Sequence, residues 1–418
     1  MKFAPVRSLV VSYEPVESRR ETVGRLGTKS GEVFFEYDPK FLSRGLELSP
    51  FRLPLRPGVF QGDRALWEGL MGLFEDSLPD GWGRLLMNRR AAQAGLRADA
   101  LGPLDRLAMV GGRSMGALVY EPEVELEPPT VISLPEIAAE VETVLAGARG
   151  ADLEKLIALG GSPQGARPKA LVQVSKDGAV ICGSRRTVPG WTQYLVKFRA
   201  RDDELHAGTL EHAYMRMAAA AGIDVPETTL LGRNGRHPGY FAIRRFDRDG
   251  PRKIHLHTLS GLLHAPHTLP SVTYRVLLLA TRELTGKESA VVEVFRRACF
   301  NVLAHNRDDH PRNFAFLMDE DGQWRPSPAY DLTFSAGPGG EHSMLIGEAG
   351  AHPTREDLFE LAHLVDLKRY QPVYERVREA VARFTGFADD AGVPSKVARP
   401  VAKVLAATAG TAPSRRRR

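Results

Sequence analysis

In the second half of this chain, three residues have the types and order that phosphoryl transfer to a hydroxyl demands. Asp308 is followed five residues later by Asn313, within Asn306-Arg-Asp-Asp-His-Pro-Arg-Asn313, and further on by Asp331 in Ser327-Pro-Ala-Tyr-Asp. A carboxylate orients an attacking hydroxyl and accepts its proton, while hard oxygen ligands from an amide and a second carboxylate hold Mg²⁺ against phosphates. The order and the first spacing match a catalytic loop built for that chemistry. Asp309 supplies a competing carboxylate, and the spacing to Asn313 selects Asp308. Taken alone, so short a motif also describes a solvated polar loop between two helices. The elements around it must therefore supply the rest of a nucleotide site.

The first such element is Tyr194-Leu-Val-Lys197-Phe198, a buried-strand pattern carrying one lysine, the context in which a lysine meets nucleotide phosphates. Apolar residues at helical spacing predict a helix over Leu210–Ile223, with Glu211 near its start placed to pair with Lys197. An edge-strand lysine that discourages aggregation is the plainer reading of Lys197; the downstream carboxylates and amide favour the nucleotide role. Ahead of this strand, Gly160-Gly-Ser162-Pro-Gln164-Gly165-Ala166-Arg167-Pro-Lys169 leads into the alternating run Ala-Leu-Val-Gln-Val. Small residues let backbone N–H groups approach and cradle phosphates. Gly160 and Gly165 give the G-x-x-x-x-G of a Walker loop. Ala166-Arg167 stands where that loop has Lys-Ser/Thr, and a strand follows instead of a helix, so the Walker reading fails.

With these segments in this order, the chain resembles the HipA-type serine/threonine toxin kinases of bacterial type II toxin–antitoxin systems. The resemblance runs through Glu21–Leu26, Phe34–Pro39, Phe74–Arg84, the Gly160–Lys169 loop, Tyr194–Phe198, Ala221–Glu227, Ile243–Arg248, the 301–313 loop and Ser327–Asp331. It implies an ATP- and Mg²⁺-dependent kinase with Asp308 as catalytic base and Asn313 and Asp331 as metal ligands. Lys197 would contact the phosphates, and Gln164, Gly165, Ala166, Arg167 and Lys169 would cover them. The backbone at Arg244 and Phe246 would meet the adenine, with His310 and Tyr330 lining the same pocket. Ser162 matches the loop serine that such kinases autophosphorylate. Arg244 departs from the family pattern, which has an acidic residue there, so a backbone contact is expected rather than a side-chain one. Family members phosphorylate protein targets, an aminoacyl-tRNA synthetase being the known kind. They pair with a small helix-turn-helix antitoxin, HipB-like, through which alone DNA would be reached. Two rival functions use the same scaffold: a catalytically silent co-repressor partner of that antitoxin, and a small-molecule kinase. A silent relative has no chemical need for Lys197, Asp308, Asn313 and Asp331 together.

Composition is compatible with this reading. A chain of 418 residues, 43% hydrophobic and 26% charged, has room for two or three domains and an ample core. Cys182 and Cys299 are too few and too far apart for a disulfide framework or a cysteine zinc site. His255-Leu-His257 is a conspicuous pair, but no HExxH pattern or cysteine accompanies it, and strand histidines are expected there. No apolar run approaches the ~18 residues of a membrane span, and no signal-peptide core precedes the chain's first strand, so a cytoplasmic protein without membrane contact is expected. The formal net charge of +5 falls to +1 without Arg415–Arg418, which argues against a broad basic face for nucleic acid.

The predicted architecture is α+β and protein-kinase-like, with two lobes. Residues 1–125 form an additional N-terminal β-rich subdomain, with strands at Leu9–Tyr13 and Glu32–Tyr37 and a helix near Gly81–Ala94. Residues 126–250 form the β-rich lobe carrying the nucleotide loop, entered through a proline-bearing linker at Glu121–Pro129 and a helix over Ile132–Ala146. Residues 251–410 form an all-α lobe with the catalytic loop, its helices at Tyr274–Leu284, Ala290–Ala304, Arg355–Val365 and Val373–Phe384. Residues 411–418 are a basic tail.

Overall fold

The structure is a computed structural model and describes residues 5–79, 81–97, 100–124, 133–148, 151–160, 167–182, 186–201, 203–266, 271–347 and 349–409. The chain divides into two compact units: residues 1–203 with 242–266 and 316–323, and residues 204–241 with 267–315 and 324–418.

In the first unit, β1 (Ser8–Val16), β2 (Arg19–Lys29) and β3 (Glu32–Tyr37) form an antiparallel meander. Alternation is the cause. Leu9, Val11 and Tyr13 of β1 and Val33, Phe35 and Tyr37 of β3 turn inward, while Val10 and Phe34 lie half-buried, Glu36 faces out and Ser12 is buried. β4 (Val59–Gln61) pairs with β3 and β5 (Leu118–Glu121) with β1, and the short strands Arg248–Asp249 and Arg252–Lys253 complete seven. The Phe35 ring packs 4.8 Å from both Tyr37 and Phe74, and the Tyr37 hydroxyl donates to the Leu53 carbonyl at 2.8 Å. A second sheet is built on β6 (Lys169–Val174), β7 (Val180–Cys182) and β8 (Thr192–Lys197). Both neighbours run antiparallel to β6, and Lys169 lies directly opposite Lys197. The helices Gly81–Gln93, Pro103–Val110, Leu134–Leu145 and Leu153–Gly160 belong to this unit.

The second unit is mainly helical: Ala207–Ala220, Tyr274–Thr285, Glu288–Leu303, Arg355–Leu364, Tyr370–Ala382, Phe384–Ala391 and Ser395–Thr408. Glu288–Leu303 forms its spine, burying Ala290, Val291, Val294, Phe295, Ala298 and Val302 at helical spacing. Tyr214 packs edge-on against Phe300 and Phe384, and its hydroxyl donates to the Ala304 carbonyl at 2.9 Å. That bond anchors the end of the spine helix, just ahead of residues 305–313. Strands dominate the first part of the chain and helices the last, which bears out the α+β expectation. Trp324–Pro326 is a short strand among the helices, and the last two helices extend beyond those predicted. Among the described residues, no helix is long and apolar enough to cross a membrane.

Candidate active site

The helix Glu288–Leu303 ends at Ala304, and the backbone turns through His305, which takes a left-handed φ of 53°. The Asn306 N–H returns to the Asn301 carbonyl at 2.8 Å, and the Asn306 side chain donates to Asn301 Oδ1 at 2.9 Å. Pro311–Asn313 forms one 3₁₀ turn with its proline at the first position, where the missing N–H costs nothing. Within this frame Asn313 Nδ2 donates to the Asp308 carbonyl at 2.7 Å, closing the five-residue spacing into a loop. That assignment leaves Asn313 Oδ1 as an acceptor suited to a hard cation.

The two adjacent carboxylates have opposite surroundings. The Asp308 side chain is 58% exposed, with His310 Nε2 at 3.8 Å from its Oδ1. Asp309 is fully buried. Its Oδ2 accepts from the Tyr274 hydroxyl at 2.6 Å and faces His342 Nδ1 at 2.7 Å, while its Oδ1 accepts from the Ser343 N–H at 2.8 Å. A buried charge is tolerable only when it is so thoroughly bonded. The Tyr330 hydroxyl donates to the Arg312 carbonyl at 2.6 Å, tying the 330s strand of chain to the loop. Asp331 takes a left-handed φ of 57°, which aspartate accepts more readily than most residues. A small cavity behind the loop is lined by Asn301, Asn306, Asp309, Asn313 and Tyr330. Asp308, His310, Asn313, Tyr330 and Asp331 thus share one unit, and the structure brings Asp308 and Asn313 into direct contact. Glu211 lies buried in Ala207–Ala220 of this same unit.

The remaining candidates belong to the first unit. Lys169 and Lys197 occupy facing positions on β6 and β8. Directly opposed residues on an antiparallel pair point to the same face with Cβ atoms about 5 Å apart, so two cations share that face. Lys169 is buried and Lys197 half-buried. Arg167 Nη2 lies 3.2 Å from Asp203 Oδ1. Arg244 is exposed and Phe246 half-buried. Ser162, Gln164, Gly165 and Ala166 lie outside the described residues, as does the Arg415–Arg418 tail.

Sequence reasoning passed over the charge cluster beside Phe246. Asp247 is fully buried and held by Arg245 Nη2 at 2.7 Å, Arg248 Nη1 at 2.6 Å and the Gly116 N–H at 2.8 Å. Burial alone would raise its pKa, but the two guanidiniums and the amide hold the carboxyl far below its usual range. The Arg245 N–H donates to the Gln193 carbonyl at 2.9 Å, so the cluster fixes this stretch of chain beside β8. The signal was present as Arg-Arg-Phe-Asp-Arg, whose alternate charges mark a paired network. His255 and His257 fall on the strand His255–Thr258. His257 lies between Asp76 Oδ2 at 2.5 Å and Ser49 Oγ at 2.9 Å, and His255 Nε2 lies 3.0 Å from the Leu48 carbonyl. Among the described residues no group of three His, Cys, Asp or Glu side chains is gathered as for a metal; a Mg²⁺ ion bound with a nucleotide draws most of its ligands from phosphates and water.

A family model described as the HipA-like C-terminal domain matches residues 161–408, and one described as the HipA N-terminal domain matches residues 15–121. A Haemophilus influenzae protein named "Putative kinase" is 31% identical over 135 residues, covering 29% of this chain and 39% of that protein. "Putative kinase Y4mE" of Sinorhizobium fredii is 30% identical over 138 residues, covering 30% of this chain and 32% of the relative. The chain therefore spans 39% of the one relative and 32% of the other, well under half of either. Among solved structures, the complex of Shewanella oneidensis HipA with HipB and operator DNA contains a chain of like fold, with a TM-score of 0.68 over 96% of both chains at 17% identity.

Proposed function

Because the chain belongs to the HipA family, we propose that it is an ATP- and Mg²⁺-dependent kinase that phosphorylates serine or threonine hydroxyls of a protein, as the toxin of a toxin–antitoxin pair. The observation that carries this reading is an exposed carboxylate on a bonded loop: the Asp308 side chain stands open to a substrate while Asn313, five residues on, donates to the Asp308 carbonyl. Asp308 orients the acceptor hydroxyl and takes its proton as the oxygen–phosphorus bond forms and ADP departs with the bonding electrons. Asn313 Oδ1 and the Asp331 carboxylate are the hard oxygens suited to Mg²⁺, which when bound neutralises charge on the β- and γ-phosphates. Lys169 and Lys197, two cations on one sheet face, suit the phosphates themselves. Arg244 and Phe246 offer backbone groups to the adenine. Ser162 is the proposed autophosphorylation site, and its new charge would lie in sequence beside the residues proposed to cover ATP. The partner proposed is a small HipB-like DNA-binding protein; the Shewanella neighbour, solved with HipB and operator DNA, motivates that choice.

The test is transfer of radiolabelled γ-phosphate, with mass spectrometry on the product. The Asp308→Asn variant should fold as the wild type does by circular dichroism and lose about 10²- to 10⁴-fold in rate, the usual worth of a general base. Phosphate should appear on Ser162 in the wild type and be absent from this variant. Near-wild-type transfer by folded Asp308→Asn protein removes Asp308 as base; an unmodified Ser162 in an active protein removes the autophosphorylation step.

A further inference from the structure

The residues on either side of Asp308 are both bonded to the same later stretch of chain. Arg307 donates from Nη2 to the Ala351 carbonyl at 2.6 Å and from Nη1 to the carbonyls of Ala336, at 3.5 Å, and Gly340. The Arg307 carbonyl in turn accepts from Ser343 Oγ at 3.0 Å and the Ser343 N–H at 3.3 Å. Asp309 takes the Ser343 N–H and His342 on one side and the Tyr274 hydroxyl on the other. Tyr274 is itself fixed by Asn301 Nδ2 at 2.9 Å, so the network closes back on the spine helix. Two residues before Arg307, the His305 carbonyl accepts from the Ser335 N–H at 3.0 Å. The approach is close enough to demand glycine at 337. A Cβ there would meet the Glu341 carbonyl at 2.1 Å and Arg307 Cβ at 2.7 Å, and φ is +72°.

This arrangement differs in kind from a loop ordered by modification. A guanidinium beside a catalytic aspartate can serve as the receptor for a phosphate placed on the following segment, which then orders it. Here the Arg307 Nη donors go to three backbone carbonyls, which are present as soon as the chain folds. The buried Asp309 carboxylate has three partners and little lone-pair capacity left to act as a base.

We propose that Asp309 and Arg307 are positioning residues that clamp the loop bearing Asp308 to residues 335–343 and Ala351, so that the fold itself, without phosphorylation of that stretch, sets Asp308 in its working position. The proposal rests on Asp308 being the base, and its failure can be told from failure of that reading. Displacing a reacting group by about 1 Å costs on the order of 10²-fold in rate. Asp309→Ala should therefore lower the turnover number for γ-phosphate transfer about 100-fold while the dissociation constant for ATP stays unchanged. Asp309→Asn, which keeps one acceptor oxygen for the Ser343 N–H, should recover part of the rate. Ser343→Ala removes only the hydroxyl bond to Arg307 and serves if the alanine variant at 309 does not fold; it should slow turnover with the same unchanged ATP affinity. A merely structural role would lower the melting temperature and leave the rate per folded molecule intact, and that result overturns the proposal. It is equally overturned if phosphatase treatment that strips residues 335–343 of phosphate abolishes activity. If Asp308→Asn retains activity, the reading of the base has failed; if that variant is inactive while folded Asp309→Ala and Ser343→Ala match the wild type, the clamp has failed and the base stands.

Discussion

A metal role for Asp331 makes a sharp claim about a single carboxylate in an unusual backbone conformation. At φ 57° an alanine would add backbone strain to the loss of charge, whereas asparagine tolerates the left-handed region and changes the charge alone. Asp331→Asn should therefore weaken ATP binding at least about tenfold when Mg²⁺ is present, in line with the cost of disturbing a metal's ligands, and leave binding in EDTA unchanged. Equal affinities in Mg²⁺ would remove Asp331 from the metal site. Asp308, Asn313 and Asp331 stand out in the sequence because the proposed phosphoryl transfer would fix both residue type and separation. Spacing selects Asp308 over Asp309 in the sequence; in the structure the Asp308 side chain is 58% exposed and Asp309 is enclosed. What enclosed it was not legible. Tyr274, His342 and Ser343 lie more than thirty residues away in sequence, and no local pattern announces a contact made only after helices pack.

Strand β2 carries a matched pair of glycines whose environments differ, which turns element-level packing into an experiment. A Cβ on Gly24 would meet the Glu36 carbonyl at 2.2 Å and the Phe35 ring at 2.7 Å, whereas one on Gly27 meets nothing nearer than 3.8 Å. Gly24→Ala should lower stability by about 1–3 kcal/mol by forcing β2 from β3, the usual penalty of overpacking. Gly27→Ala should be neutral or stabilising by up to ~1 kcal/mol through the unfolded chain's lost freedom. Denaturant midpoints of the two variants should move apart; equal shifts would mean that the close approach at Gly24 does not govern the pairing. The same strand marks a limit of sequence reading. β1 and β3 announced themselves by apolar alternation, but Arg19–Lys29 is polar and glycine-bearing and reads as a strand only beside its neighbours. Pro103–Val110 and Leu153–Gly160 went unpredicted, while the seven helices the sequence does predict were found to within a few residues. Phe384–Ala391 and Ser395–Thr408 were not, since Gly386, Pro394 and Pro400 interrupt the local pattern and tertiary packing overrides them.

For the molecule as a whole, buried histidines set the direction in which stability depends on pH. His264 is pushed down to about 4, mainly by burial and then by neighbouring His257 and Arg52. Its Nε2 accepts the Gly72 N–H at 3.0 Å, a bond an imidazolium cannot accept, and this joins Gly72–Glu75 to the end of Leu259–Leu263. His255 is lowered to about 3 by burial and His257, and His305 to about 4 by burial and Arg307. In the unfolded chain each titrates near ~6.5. Between about pH 6.5 and about pH 4 the unfolded state therefore binds protons that the folded state refuses, so stability falls as pH falls through that window, and the histidine contribution is flat above it. The depressed carboxylates Asp76 and Asp247 act lower, because they give up their contribution only as pH drops past their ordinary range near ~4. The melting temperature should thus decline steadily from about pH 7 to about pH 4.5, before Asp76 and Asp247 give up most of their contribution. His264→Gln keeps an acceptor for the Gly72 N–H and cannot titrate, so its profile should be shallower across that window while matching the wild type near neutrality. A variant profile parallel to the wild type would assign the acid sensitivity to His255 and His305 instead, and a wild-type melting temperature constant down to about pH 5 would show that none of the three histidines resists protonation as its burial requires.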